Sequence, residues 1–107
     1  MNVLFDACVP RPLRKHLMGI DIKTAYEMGW AHLLNGHLLK AAQHDFDVLL
    51  TVDRGIRYQQ PTHEFEIGIV IVLVLSNNVK SFLPLLDEIR EAIHHVKPGE
   101  VLVVGKR

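Results

Sequence analysis

At 107 residues the chain has room for a single domain, 1–107, with a modest core, and a hydrophobic content of 49% excludes disorder. Lys+Arg and Asp+Glu both number 12, so no global field advertises a polyanion, and a nucleic-acid partner would need a local basic patch. The single Cys8 excludes an internal disulfide and a cysteine-built zinc site, and no apolar run approaches the roughly 20 residues of a membrane span or resembles a signal peptide, so the chain reads as a cytoplasmic protein with no membrane partner.

Met1 to Asp6 predicts a first strand, apolar until its terminal acid. Pro10 and Pro12 stiffen the connection after it, and Pro12 suits the first turn of a short helix whose apolar face is Leu13, Leu17 and Met18, beside Arg14, Lys15 and His16. Gly19 ends it, and Asp21 to Ala25 alternates polar and apolar as a half-covered edge strand does. Tyr26 to His32 predicts a helical turn, then a loop. The apolar stretch Trp30-Ala31-His32-Leu33-Leu34 is a candidate contact patch for a homodimer. Asn35 is the expected N-cap of a helix over 36–44 with Leu38, Leu39, Ala41 and Ala42 as its stripe.

Val48 to Val52 is aliphatic and β-branched, suited to a strand covered on both faces, and it runs into Asp53-Arg54-Gly55. The polar stretch 55–66, broken at Pro61, predicts a short helix and a surface loop. Gly68 to Leu75 predicts a second fully buried strand, with Ser76, Asn77 and Asn78 ending it and offering an N-cap. Phe82, Leu85, Leu86, Ile89, Ile93 and Val96 follow helical spacing; Pro98-Gly99 is a turn, and Val101 to Val104 a last strand. This order predicts an α/β fold, a three-layer α/β/α sandwich with a central, largely parallel sheet of about five strands. The strands ending in Asp6 and Asp53 should be neighbours near its centre.

Those two acids carry the functional argument. Each emerges at the carboxyl end of an apolar strand, where open α/β sheets place their ligands. Carboxylates that converge there repel each other unless a cation, a basic partner or a shared proton compensates, and Mg²⁺ or Mn²⁺ suits hard oxygen donors. Each acid alone would more often cap the turn after it. Glu27, shortly after the second strand, can reach the same edge, whereas Asp45 and Asp47 start the central strand and belong to the opposite one. Arg11, Arg14, Lys15, Arg54 and Arg57 follow the two acid-bearing strands, an arrangement that suits a phosphodiester backbone as well as ordinary salt bridging, and Tyr58, Gln59 and Gln60 add stacking and hydrogen-bonding groups. The seven histidines show no metal-binding spacing, and no phosphate-binding glycine loop is present.

The segments VLFDACVPRPLRKHL, TAYEMGWAHLLNGHLLKAA and FDVLLTVDRGIRYQQ, together with the closing KPGEVLVV, resemble a family of short bacterial proteins with a PIN-like domain, related to the VapC toxin nucleases. The resemblance covers essentially the whole chain. It implies a PIN-like fold and metal-dependent cleavage of RNA by clustered acids that hold Mg²⁺ or Mn²⁺, with a toxin-like role beside an antitoxin-like protein. Asp6 then matches the acid ending the first strand, Asp53 that of the Thr-x-Asp element, and Glu27 a further catalytic acid. Arg11, Arg54, Arg57 and Asn35 fall among the substrate-binding groups. Ala7 stands where many relatives carry Glu, and Asn35 where many place an acid before the central helix, which lowers the charge available for a second ion. The alternative is therefore a catalytically impaired PIN-like module that binds RNA or protein. A phosphoacceptor like those of response regulators is a weaker third reading, since the acid pair it needs beside the first strand is missing.

Overall fold

Short apolar runs bounded by polar or glycine-containing turns become five strands: β1 (Asn2–Phe5), β2 (Asp21–Thr24), β3 (Val48–Thr51), β4 (Gly68–Val72) and β5 (Val101–Val104). In the computed structural model, which describes residues 1–105, they form one sheet in the order β2-β1-β3-β4-β5, and every neighbouring pair is parallel. The expected α/β fold and parallel sheet are present. β1 and β3 are direct neighbours, with Leu4 opposite Leu49 and Phe5 opposite Leu50. Helices α1 (Asn35–Ala42), α2 (Ile56–Gln59), α3 (Val79–Phe82) and α4 (Leu86–His95) make the crossovers, joined by 3₁₀ turns at Arg11–His16, Thr62–Glu64 and Leu83–Leu85.

Successive side chains of a strand point to opposite faces, so each strand feeds two cores. Val3, Phe5, Val48, Leu50, Val70 and Val72 enter a first core with Leu13 and Leu17, Phe82 of α3, and Ile89 and Ile93 of α4. Leu4, Leu49, Ile69 and Ile71 enter a second with Leu38, Leu39 and Ala42 of α1 and Ile56 of α2. Each fully buried Leu or Ile contributes about 1.5–3 kcal/mol, which is why β3 and β4, buried at every position, anchor the sheet.

Several local expectations are corrected. Met18 is 79% exposed: the preceding turn is 3₁₀, with three residues per turn, and the chain swings away at Gly19 with φ +89°. Asn35 is not an N-cap; Leu34 holds that position, and the Asn35 side chain bonds to Asp53. β4 stops at Val72 because its neighbour β5 ends opposite at Val104, leaving Leu75 in solvent. The long helix expected after Asn78 is broken at Pro84, which has no N–H to continue it, into α3, a 3₁₀ turn and α4. Asn78 does cap α3, accepting from the Ser81 N–H at 3.1 Å. Trp30 packs edge-on against Phe46, with ring centroids 6.1 Å apart, and joins Leu33 against the second core. The 30–34 loop thus covers the core; of its large apolar residues only Leu34 is exposed. No helix among the described residues is long and apolar enough to cross a membrane.

Candidate functional site

The chain runs from β1 outward to β2, then crosses back to β3 on the other side of β1, so the sheet reverses its direction of winding between β1 and β3. At such a boundary the crossovers leave in opposite directions and open a crevice at the carboxyl ends of the strands. Asp6 comes directly after β1, and its N–H donates to the Leu50 carbonyl at 3.0 Å, continuing the ladder with β3 by one residue. Since Phe5 and Leu50 face the first core, Asp6 and Thr51 fall on the second-core side; Val52 packs on the first core, returning Asp53 to the side of Thr51. Strand alternation therefore delivers Asp6, Thr51 and Asp53 to one face.

Thr51 ties the two acids together. It is fully buried, its hydroxyl donates to Asp6 Oδ2 at 2.7 Å, and its own Oγ1 accepts the Asp53 N–H at 3.1 Å. Asp6 Oδ1 accepts from the Ala7 N–H at 2.7 Å. Asp53 Oδ1 accepts from the Gly55 N–H at 2.9 Å, and Asp53 Oδ2 from the Asn35 amide at 2.6 Å. Both carboxylates are half-buried and line a cleft of about 340 Å³ with Asn35, Cys8, Ala31 and Leu33. Thr51 is a site residue that sequence reasoning misses; its one signal is being the polar terminus of a wholly buried strand. Asn35 is in the site, but through Asp53, an 18-residue separation that no local pattern encodes.

Glu27 is elsewhere. Ile22 packs into the first core, so Thr24, two residues on, lies on that face, opposite to the one that holds Asp6 and Asp53. Glu27 Oε1 accepts from Arg14 at 2.7 Å and from the Thr24 N–H at 2.9 Å, while the Glu27 N–H donates to Thr24 Oγ1 at 3.1 Å. The Arg14 guanidinium, seconded by the Thr24 amide, holds the Glu27 carboxyl down at about 2. Glu27 is a brace between the Arg11–His16 turn and β2, and the expected third acid is not in the cleft. Among the described residues no group of three or more His, Cys, Asp or Glu side chains is placed to hold a metal.

The cations divide into two clusters. Arg11 lines a shallow hollow with Pro12, Arg14 and Lys15, beside the turn whose Leu13 packs on the first core. Arg54 and Arg57 line a separate pocket of about 320 Å³ with Tyr58, Ile71, Leu73 and Val103. Asp45 and Asp47 stand at the amino edge as expected, where Asp47 Oδ2 accepts the Asn2 N–H at 2.8 Å.

What remains at the β1/β3 boundary is a pair of carboxylates with fixed orientation, all oxygen in donor type. Such a set fits a weakly held Mg²⁺ or Mn²⁺, which keeps several waters and accepts substrate oxygens, better than Zn²⁺, which favours nitrogen and sulfur ligands. Comparison with models of protein families, with curated proteins and with solved structures returned no match to this chain.

Proposed function

We propose that the chain is a PIN-like, metal-dependent endoribonuclease, with the Asp6–Asp53 cleft as its active site. The observation that carries the reading is the Thr51 hydroxyl, bonded at once to the Asp6 carboxylate and to the Asp53 N–H at the boundary where the sheet reverses, with both carboxylates lining one cleft. Two like charges kept together in a half-buried cleft call for a cation. Asp6 and Asp53 would hold Mg²⁺ or Mn²⁺, which when bound supplies Lewis acidity toward a phosphodiester and lowers the pKa of water. The chain's own residues do the rest. Thr51 and Asn35 hold the carboxylate planes, and Arg54, next to Asp53, offers charge to a bound phosphate. A toxin-like role beside an antitoxin-like protein rests on the resemblance to the VapC relatives.

Asp6→Asn and Asp53→Asn are each expected to lower Mn²⁺-dependent cleavage of single-stranded RNA by more than about a hundredfold, the scale of losing a few kcal/mol of charge stabilisation. Circular dichroism should stay that of the folded chain. Cleavage that survives both changes refutes the assignment.

One observation favours the impaired module instead. Every carboxylate oxygen of the pair already accepts a hydrogen bond, and Asn35 puts an amide where relatives carry an acid. On that reading calorimetry finds no Mn²⁺ binding at millimolar concentration, although the protein is folded and retains RNA.

A further inference from the structure

The pocket beside the cleft has a chemistry of its own. Arg54 comes directly after Asp53, and Arg57 and Tyr58 come from the first turn of α2, which places all three over the carboxyl ends of β4 and β5. Neither arginine has a carboxylate within 4.0 Å among the described residues; the only Arg–carboxylate pair there is Arg14–Glu27. The Arg57 guanidinium lies 4.9 Å from the centre of the Tyr58 ring, a cation–π stack. Its Nε is shut off from solvent and meets no hydrogen-bond acceptor among the described residues, so the fold leaves that donor unused. Tyr58 itself is 77% exposed, an aromatic ring carried into solvent and held by its cationic neighbour. The same pocket has an apolar floor from the ends of β4 and β5, with Ile71 buried at its base, Leu73 half-buried and Val103 37% exposed.

Each part selects against simpler ligands. A bare phosphate would use the arginines but not the floor or the ring. An apolar ligand would use the floor but leave two unpaired cations. A planar aromatic group bearing a phosphate uses all three, and the volume of about 320 Å³ lies at the small end of ligand pockets, about 300–1,000 Å³. A base inside a duplex has its faces covered by its neighbours, whereas an unstacked base offers a face to an aromatic ring or a guanidinium plane.

We infer that this pocket is a nucleotide subsite, which takes one unstacked base of single-stranded nucleic acid between Tyr58 and the apolar floor and its phosphate on Arg54 and Arg57. The inference rests on the nucleic-acid half of the function proposed above and is independent of its catalytic half. Because Arg54 adjoins Asp53, the nucleotide in the subsite is next to the phosphodiester at the acid cleft, so the shortest productive substrate extends past the cleft on this side.

The test tracks amide shifts of the full chain by NMR in EDTA while nucleoside 5′-monophosphates, inorganic phosphate, or a short single-stranded oligoribonucleotide are added, with affinities from fluorescence anisotropy. Shifts are expected at residues 54–58, 73 and 103, larger for a nucleotide than for phosphate alone. Tyr58→Ala, at an exposed position where the fold is safe, should weaken oligonucleotide binding about tenfold, as loss of one base–aromatic stack does. Arg57→Lys, which keeps the charge and loses the plane, should weaken it similarly; Tyr58→Phe, which keeps the ring, should bind as the unaltered chain does. Equal affinity of Tyr58→Ala and the unaltered chain overturns the subsite, as does displacement of the oligonucleotide by an acidic peptide but not by mononucleotides. Nucleotide binding at 54–58 with no cleavage under Mg²⁺ or Mn²⁺ leaves the subsite standing and sinks the nuclease. Cleavage with an unchanged KM in Tyr58→Ala does the reverse.

Discussion

Thr51 shows how one hydroxyl can organise a site. In a strand of otherwise aliphatic residues it is the position where a buried polar group finds both a donor role, to Asp6, and an acceptor role, from the Asp53 N–H. A buried hydroxyl left unpaired costs about 1–3 kcal/mol, so the bonds that satisfy Thr51 also orient the Asp6 carboxylate and fix the backbone at Asp53, whose own carboxylate is held by Gly55 and Asn35. Glu27 does different work at the same scale. Its carboxyl, held at about 2 against an ordinary 4.5, is more readily ionised in the folded chain than in the unfolded one, so its charge favours the folded state. The contribution is present in full above 4.5 and disappears as pH falls through about 2. Glu27→Gln should therefore lower thermal stability at neutral pH, and the difference from the unaltered chain should vanish in acid and shrink in high salt. A calorimetric series from pH 7 downward checks it, and a gap independent of pH would show that Glu27 acts through packing and not through charge.

At the scale of elements, the start of β4 closely approaches the end of α4. A Cβ on Gly68 would lie 2.8 and 2.9 Å from the two Val96 methyls and 3.0 Å from the Lys97 carbonyl, just past the end of α4. The absent side chain lets the end of α4 reach the sheet before the Pro98-Gly99 turn feeds β5. Gly68→Ala should destabilise by about 1–3 kcal/mol through overpacking, read as a shifted urea midpoint at constant slope. Adding Val96→Ala should recover part of the loss, since it removes the atoms that clash. The same end of the molecule is tied across the first core, where Arg90 of α4 donates to the carbonyls of Met18 at 2.9 Å and His16 at 3.1 Å. Those bonds close the Arg11–His16 turn from a distance of more than 70 residues in sequence.

Across the whole molecule, two cores share one sheet, so neither can open alone. β1, β3 and β4 send alternate residues to each, and removing one face exposes the backbone of the other. Trp30, the single tryptophan, reports on the second core. Ile89→Val in the first core should cost about 0.5–1.5 kcal/mol and shift Trp30 fluorescence and far-UV circular dichroism by the same amount in one transition. Separate midpoints would show that the cores unfold independently. A formal charge of zero conceals a pattern at this scale: two acids share one cleft, while cations gather in two separate hollows, Arg11, Arg14 and Lys15 in one and Arg54 and Arg57 in the other.

The strands, their parallel pairing and the candidacy of Asp6 and Asp53 were legible in the sequence, because a buried strand has a local signature and an acid at its end breaks that signature visibly. The break at Pro84 was equally local and was obscured by the helical spacing on both sides of it. Membership of the site was not local. Asn35 reads as a cap until Asp53, 18 residues away, takes its amide, and Glu27 reads as a third acid until Arg14 and Thr24 engage it on the opposite face of the sheet. Nor could spacing say that Arg54 and Arg57 would meet Ile71, Leu73 and Val103, since that pocket exists only once β5 lies beside β4. Strand alternation decides which face a residue occupies, but the order of the strands decides which residues meet there, and that order comes from the packing of both cores at once.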